Sequence, residues 1–291
     1  MRRASLFRRT KAWLLTATLV CLGGCAGDAF VAVPHKAEYL AHQAGWSYAM
    51  VEASPFLLAA AVSPATGSGA ALTVYLEGDG LAFLGPHTVS ADPTPTDPLT
   101  LRLALAHPGG PVAWLARPCQ YGMKPPCHPA YWTSHRYAPE VVAGVGAAID
   151  RIKARVKAER IVLVGYSGGG ALAVLVAAAR SDVSALVTVA ANLDLALWTR
   201  LQGLTPLTPS LDPAAMAGRV AHIPQVHLTG GRDEVVPAEV GRAFVSRANA
   251  QGRARLLPVE KFGHVCCWAE EWPNLAAAQT LAALPDWRQG R

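Results

Sequence analysis

Short apolar runs recur along the chain, each closed by glycine, proline or charged residues. They occupy residues 56–62, 71–76, 111–116, 161–164, 183–189 and 254–259, and residues 224–231 read as a strand entering a Gly-Gly turn. Between them lie stretches of helical period. Residues 99–106 look helical, with Pro98 at the start. Pro139 and Glu140 open a longer helix in which Val141, Val145, Ala148, Ile152 and Val156 recur at spacings of three and four, which turns one face to a sheet. Residues 168–179 form another helix. Strands alternating with helices imply an α/β protein with a mostly parallel central sheet and helices on both faces. The run at 56–62 is expected to pair beside residues 72–76. In such sheets, catalytic groups gather at the C-terminal ends of strands.

The most informative segment is Gly165-Tyr166-Ser167-Gly168-Gly169. It follows Ile161-Val162-Leu163-Val164 and precedes an apolar helical run, so a serine stands at the apex of a sharp strand-to-helix turn. G-x-S-x-G in that setting is a nucleophile elbow. The glycines let neighbouring backbone pass close by, and the Gly168 N–H points toward the oxyanion of an attacked carbonyl. A serine hydroxyl needs a base, and the base needs an orienting carboxylate. Asp233 follows the strand ending in Gly230-Gly231, and His264 follows the strand at 254–259. Asp194, after the strand that succeeds the elbow, is the rival acid.

Ser167, Asp233 and His264 thus stand in the order Ser, Asp, His, each just past a strand. This constellation resembles the α/β-hydrolase family over nearly all of the chain after residue 24. The G-Y-S-G-G elbow, the G-G-R-D-E-V-V-P acid segment and the F-G-H near the C-terminus carry the likeness. The resemblance implies Ser167 as nucleophile, His264 as general base and then general acid, and Asp233 as orienter. It also implies a second oxyanion donor in the loop after an early strand. There the sequence reads Glu77-Gly78-Asp79-Gly80, with Glu77 where family members often have the histidine of a His-Gly pair. The donor is then the backbone N–H of Asp79, or of Gly80, and the Asp79 carboxylate is expected to turn away from the oxyanion.

Two insertions shape the expected site. Residues 117–137 carry Tyr121, Tyr131, Trp132, Tyr137 and two cysteines, and serve either as a stapled structural loop or as substrate contact. Residues 193–225, where a cap commonly inserts in this family, can form a minimal cap, with Trp198, Leu201, Leu204 and Leu207 as acyl-pocket or core residues.

The first residues change the reading of charge. Arg2, Arg3, Arg8, Arg9 and Lys11 precede the apolar residues 12–22, which are too short to span a bilayer and end in Leu22-Gly23-Gly24-Cys25. This is similar to a bacterial lipobox, so residues 1–24 are expected as a lipoprotein signal peptide, Cys25 as the lipidated residue and residues 25–45 as a tether; an ordinary signal peptide is the alternative. The formal charge of +6 then resides mostly in the signal, because the remainder holds 21 basic and 20 acidic residues. No basic stripe interleaved with aromatics points to nucleic acid. An exported chain favours disulfides. Cys119 and Cys127, close in sequence around Pro125-Pro126, are expected to pair, leaving Cys266 and Cys267 to each other. Pairings across the two segments, free thiols and a zinc site at Cys119, Cys127 and His128 are the alternatives. No cofactor or metal is expected. The expected function is hydrolysis of a small or medium acyl substrate, first an ester, in the bacterial cell envelope. Peptide or thioester hydrolysis, or a non-catalytic hydrolase-fold binding lipoprotein, are the other readings.

Overall fold

A computed structural model describes residues 33–64 and 71–288. The signal segment and Cys25 lie outside the described residues. The elements run α1 (Val33–Gln43), β1 (Ser47–Ala53), β2 (Phe56–Val62), β3 (Ala71–Leu76), the small hairpin β4 (Phe83–Gly85) and β5 (Thr88–Val89), α2 (Leu99–Leu105), β6 (Val112–Leu115), α3 (Pro139–Val156), β7 (Arg160–Tyr166), α4 (Gly168–Ala178), β8 (Val183–Val189), α5 (Leu195–Leu201), α6 (Ala217–Val220), β9 (Gln225–Gly230), α7 (Ala238–Ala248), β10 (Ala254–Val259), α8 (Trp268–Ala277) and α9 (Gln279–Ala282).

Among the described residues, eight strands form the main sheet, in the order β1-β2-β6-β3-β7-β8-β9-β10. Within it only β2 runs against the others: it is antiparallel to β1 and to β6, and the remaining pairs are parallel. Side chains alternate across the sheet, as strand geometry requires. Leu72, Val74 and Leu76 of β3 and Ile161 and Leu163 of β7 enter one core with α3, α4 and α7. Tyr75, Val162 and Val164 enter the other, with α1, α2 and α8. Both faces are therefore covered, and the parallel strands read as continuous apolar runs. Helix α4 is buried on all sides, which explains why its sequence has no polar face.

Two sequence expectations are corrected. Residues 56–62 do not lie beside β3, because β6 sits between them. The crossover from β3 through α2 returns on the β2 side, and this long-range choice leaves no mark in the local pattern. Residues 33–43 are not part of a tether. They form α1, whose Ala37 and Ala41 are fully buried, so the folded body begins before residue 46. The segment between β8 and β9 holds α5, a 3₁₀ turn at Pro213–Met216 and α6. It makes a minimal cap.

Candidate active site

The elbow is built by close backbone approach. Ser167, between β7 and α4, has φ 52° and ψ −123°, a conformation rare for a residue with a side chain. A Cβ on Gly165 would stand 2.6 Å from Gly170 Cα, and one on Gly169 would stand 2.5 Å from Glu77 O. Both positions therefore exclude any side chain. The Ser167 N–H donates to Val189 O, and its carbonyl accepts from Gly170 N–H, which fixes the serine at the start of α4.

His264 joins the other two groups. Its Nε2 is 3.0 Å from Ser167 Oγ and its Nδ1 is 2.9 Å from Asp233 Oδ2. The second carboxylate oxygen, Asp233 Oδ1, accepts the Val235 and Val236 N–H groups at 2.9 and 2.8 Å. Those bonds fix the acid's rotamer and leave Oδ2 for the imidazole. The His264 carbonyl accepts from Tyr166 Oη at 3.0 Å and Trp268 Nε1 at 3.0 Å, so the histidine loop is pinned to β7 and α8. Asp194, the rival acid, is committed elsewhere. It caps α5 through Leu197 N–H and pairs with Arg247 at 2.5 Å.

The Ser167 hydroxyl opens on a cavity of about 890 Å³. Leu204, Val235, Val265, Phe83 and Leu84 are among its apolar walls, and Asp79, Arg136 and Asn192 are among its polar ones. Of the aromatic and apolar candidates named from the cap, Trp198 and Leu204 line the cavity, and Leu207 packs against the core. Of the 117–137 loop, Arg136 lines it. The tyrosines of that loop mostly pack: Tyr121 stands edge-on to Trp114 and Tyr131 edge-on to Phe56.

The loop after β3 runs beside the elbow. Gly168 is the first residue of α4, where N–H groups lack intrahelical partners. The Asp79 carboxylate turns to Arg117, to Arg136 at 2.6 Å and to the Tyr137 hydroxyl at 3.3 Å. Burial alone would raise its carboxyl, but Arg136 and Arg117 hold it below the ordinary range. Glu77 is buried beneath it. Its Oε1 accepts from Thr100 Oγ1 at 2.7 Å and Gly78 N–H at 3.0 Å, and its Oε2 from Trp114 Nε1 at 2.9 Å. Burial still pushes this carboxyl above the usual carboxylate range.

Cys119 is joined to Cys127 and Cys266 to Cys267. The peptide between the adjacent pair is cis. Among the described residues no cluster of acidic, histidine and cysteine side chains could hold a metal ion. Arg117, Arg136 and Asn192 were not singled out from the sequence, and no motif marks them.

No protein-family model matches this chain, and no curated protein matches it. Solved structures do. An esterase of Pyrococcus furiosus aligns at TM-score 0.62 and 14% identity, over 84% of this chain and 95% of that one. A lidless α/β serine hydrolase of Xanthomonas campestris aligns at 0.53 and 13%, over 82% and 95%. An acylaminoacyl peptidase of Pyrococcus horikoshii aligns at 0.56 and 13%, over 75% of this chain and 37% of that one. At these identities the likeness concerns architecture, and with the sheet order above it shows that this chain has the α/β-hydrolase fold with a minimal cap.

Proposed function

We propose that this protein is a serine hydrolase that cleaves an acyl bond, first a carboxylic ester, through an acyl-enzyme on Ser167. The observation that carries the reading is the unbroken chain from Ser167 Oγ through His264 to Asp233 at the mouth of a cavity. In this reading His264 Nε2 takes the hydroxyl proton as Oγ attacks the carbonyl carbon. Asp233 holds the Nδ1–H and supports the imidazolium. The N–H groups of Asp79 and Gly168 receive the oxyanion. Collapse expels the alcohol, which takes the proton from His264. Water then attacks the acyl-enzyme with His264 again as base; collapse breaks the acyl–Oγ bond, His264 gives its proton to Ser167 Oγ, and the carboxylic acid leaves. A cavity of about 890 Å³ suits a small or medium acyl substrate. Peptides and thioesters remain the alternative bonds, since the same groups serve them. A binding-only lipoprotein is disfavoured because no member of the chain is missing. Replacing Ser167 with alanine tests the reading: hydrolysis of p-nitrophenyl acetate should fall by about 10⁶ with the fold retained, and turnover near the wild-type rate would refute it.

Residues 1–25 supply the proposed location, a lipid-anchored protein of the bacterial cell envelope. Among the described residues no helix is long and apolar enough to cross a membrane. Cys25→Ser should move the protein from the membrane fraction to the soluble one, whereas a wild-type chain free of lipid by mass spectrometry would refute the anchor.

A further inference from the structure

Arg117 and Arg136 are unusual residues to find under a catalytic cavity. Their side chains are only 5% and 7% exposed, and both face one carboxylate, Asp79. Enclosing charges is costly unless geometry and additional hydrogen bonds compensate, and here the additional bonds are present. Arg136 Nε donates to Thr133 O at 2.7 Å, and Arg117 Nη2 donates to Arg136 O. Gln120 completes the clasp: its Oε1 accepts the Arg117 N–H at 3.1 Å, and its Nε2 donates to Gly78 O at 2.9 Å. The loop after β3 is therefore gripped from residues 117–136, the segment that contains the Cys119–Cys127 bond.

The cluster also touches the elbow. A Cβ on Gly168 would overlap Asp79 Oδ1 and stand 2.7 Å from Arg117 Nη1. The ion pair thus lies directly on the first residue of α4. One side chain, Asp79, spans from the loop that carries one proposed oxyanion donor to the residue that carries the other. Two guanidiniums against one carboxylate also leave the cluster net positive beside the position where negative charge develops.

We propose that Arg117 and Arg136 are positioning residues for acyl transfer: by holding the Asp79 carboxylate against Gly168 they fix the separation of the two backbone N–H groups that receive the oxyanion. This rests on the serine-hydrolase reading of Ser167. It predicts that loosening the cluster impairs the transition state more than substrate binding, because both guanidiniums are committed to Asp79 and to main-chain carbonyls.

The test uses the full chain with Arg136→Met and Arg136→Lys. Active sites are counted by a fluorophosphonate, and kcat and KM are measured per labelled site on p-nitrophenyl acetate. Inhibition by phenylboronic acid reports tetrahedral binding. Arg136→Met should lower kcat about 30-fold with KM within about twofold, and should weaken boronate inhibition by a similar factor. Lysine keeps the charge but not the fork shared between Asp79 and Thr133 O, so Arg136→Lys should recover part of the loss and remain about fivefold below wild type. If the methionine variant does not fold, the lysine variant carries the test with the same split. A kcat per labelled site within about twofold of wild type in the folded variants, with boronate inhibition unchanged, overturns the inference. So does a proportional rise in KM with kcat unchanged. Failure of the wild type itself to label would instead overturn the reading of Ser167, and the inference with it.

Discussion

On one side of the cavity, Ser167, Asp233 and His264 each stand just past a parallel strand, β7, β9 or β10, and main-chain groups hold the serine and the acid. Val235 and Val236 N–H fix the acid, and Val189 O anchors the serine. The neighbouring wall, residues 77–80, follows β3 and is held mainly by side chains: Thr100 and Trp114 on Glu77, and Arg117, Arg136 and Tyr137 on Asp79. The first side inherits its geometry from the sheet. The second depends on a buried charge cluster contributed by a loop distant in sequence. Damage to the two sides should therefore look different.

The largest effect in this comparison is expected from the backbone-held side. Asp233→Asn should lower kcat by about 10⁴ while leaving the fold intact, since the amide favours the wrong imidazole tautomer. Asp194→Asn should leave kcat near wild type, because asparagine can still cap α5 and Asp194 faces Arg247 rather than His264. A large loss from Asp194 with none from Asp233 would reverse the assignment of the acid. On the other side, Gly168→Ala should cost about 10² in kcat by displacing the Asp79 carboxylate, measured per labelled site.

The smallest effect concerns how the strands beneath the acid respond to pH. His227 on β9 is fully buried. Gln225 Nε2 donates to Val220 O and Ile223 O, which turns Gln225 Oε1 toward His227 Nε2 at 2.9 Å. That geometry makes Nε2 the donor and leaves Nδ1 to accept from Thr188 Oγ1 at 2.8 Å. Burial pushes the imidazole down to about 3, whereas an unfolded histidine titrates near 6.5. Below about pH 6.5 the unfolded chain binds a proton that the folded chain refuses, so stability falls as pH falls toward 3. His227→Gln should remove about 2 kcal/mol of the stability difference between pH 6.5 and 5, read by urea unfolding at each pH. His107, held at about 4 by burial, leaves a residual slope in the same direction. An unchanged acid limb in the variant would show that His227 is not held neutral.

What the sequence disclosed follows this division. The elbow and its partners were legible because strand-end position and chain order mark them: apolar runs, then Gly165 to Gly169, then Asp233 after Gly230-Gly231, then His264 after β10. The arginine cluster was not, since a buried guanidinium and a solvated one have the same letter. The partners of the Asp79 carboxylate could not be named from the sequence either. Strand β1 escaped notice because Ser47–Ala53 is an edge strand that places exposed and half-buried residues in succession. Helix α1 was taken for tether because its buried contacts are small alanines, which give a weak apolar signal. Pairing β2 with β6 instead of β3 is a tertiary choice, made by where the α2 crossover returns.

The central claim is that Ser167 is an activated nucleophile, and covalent labelling tests it most directly. The full-length protein is treated with a fluorophosphonate and digested, and the modified peptide is sequenced by mass spectrometry. The account predicts one adduct per chain, on Ser167, absent from Ser167→Ala and much slower in Asp233→Asn. A wild-type protein that folds and remains unlabelled, or an adduct on another residue, would contradict it.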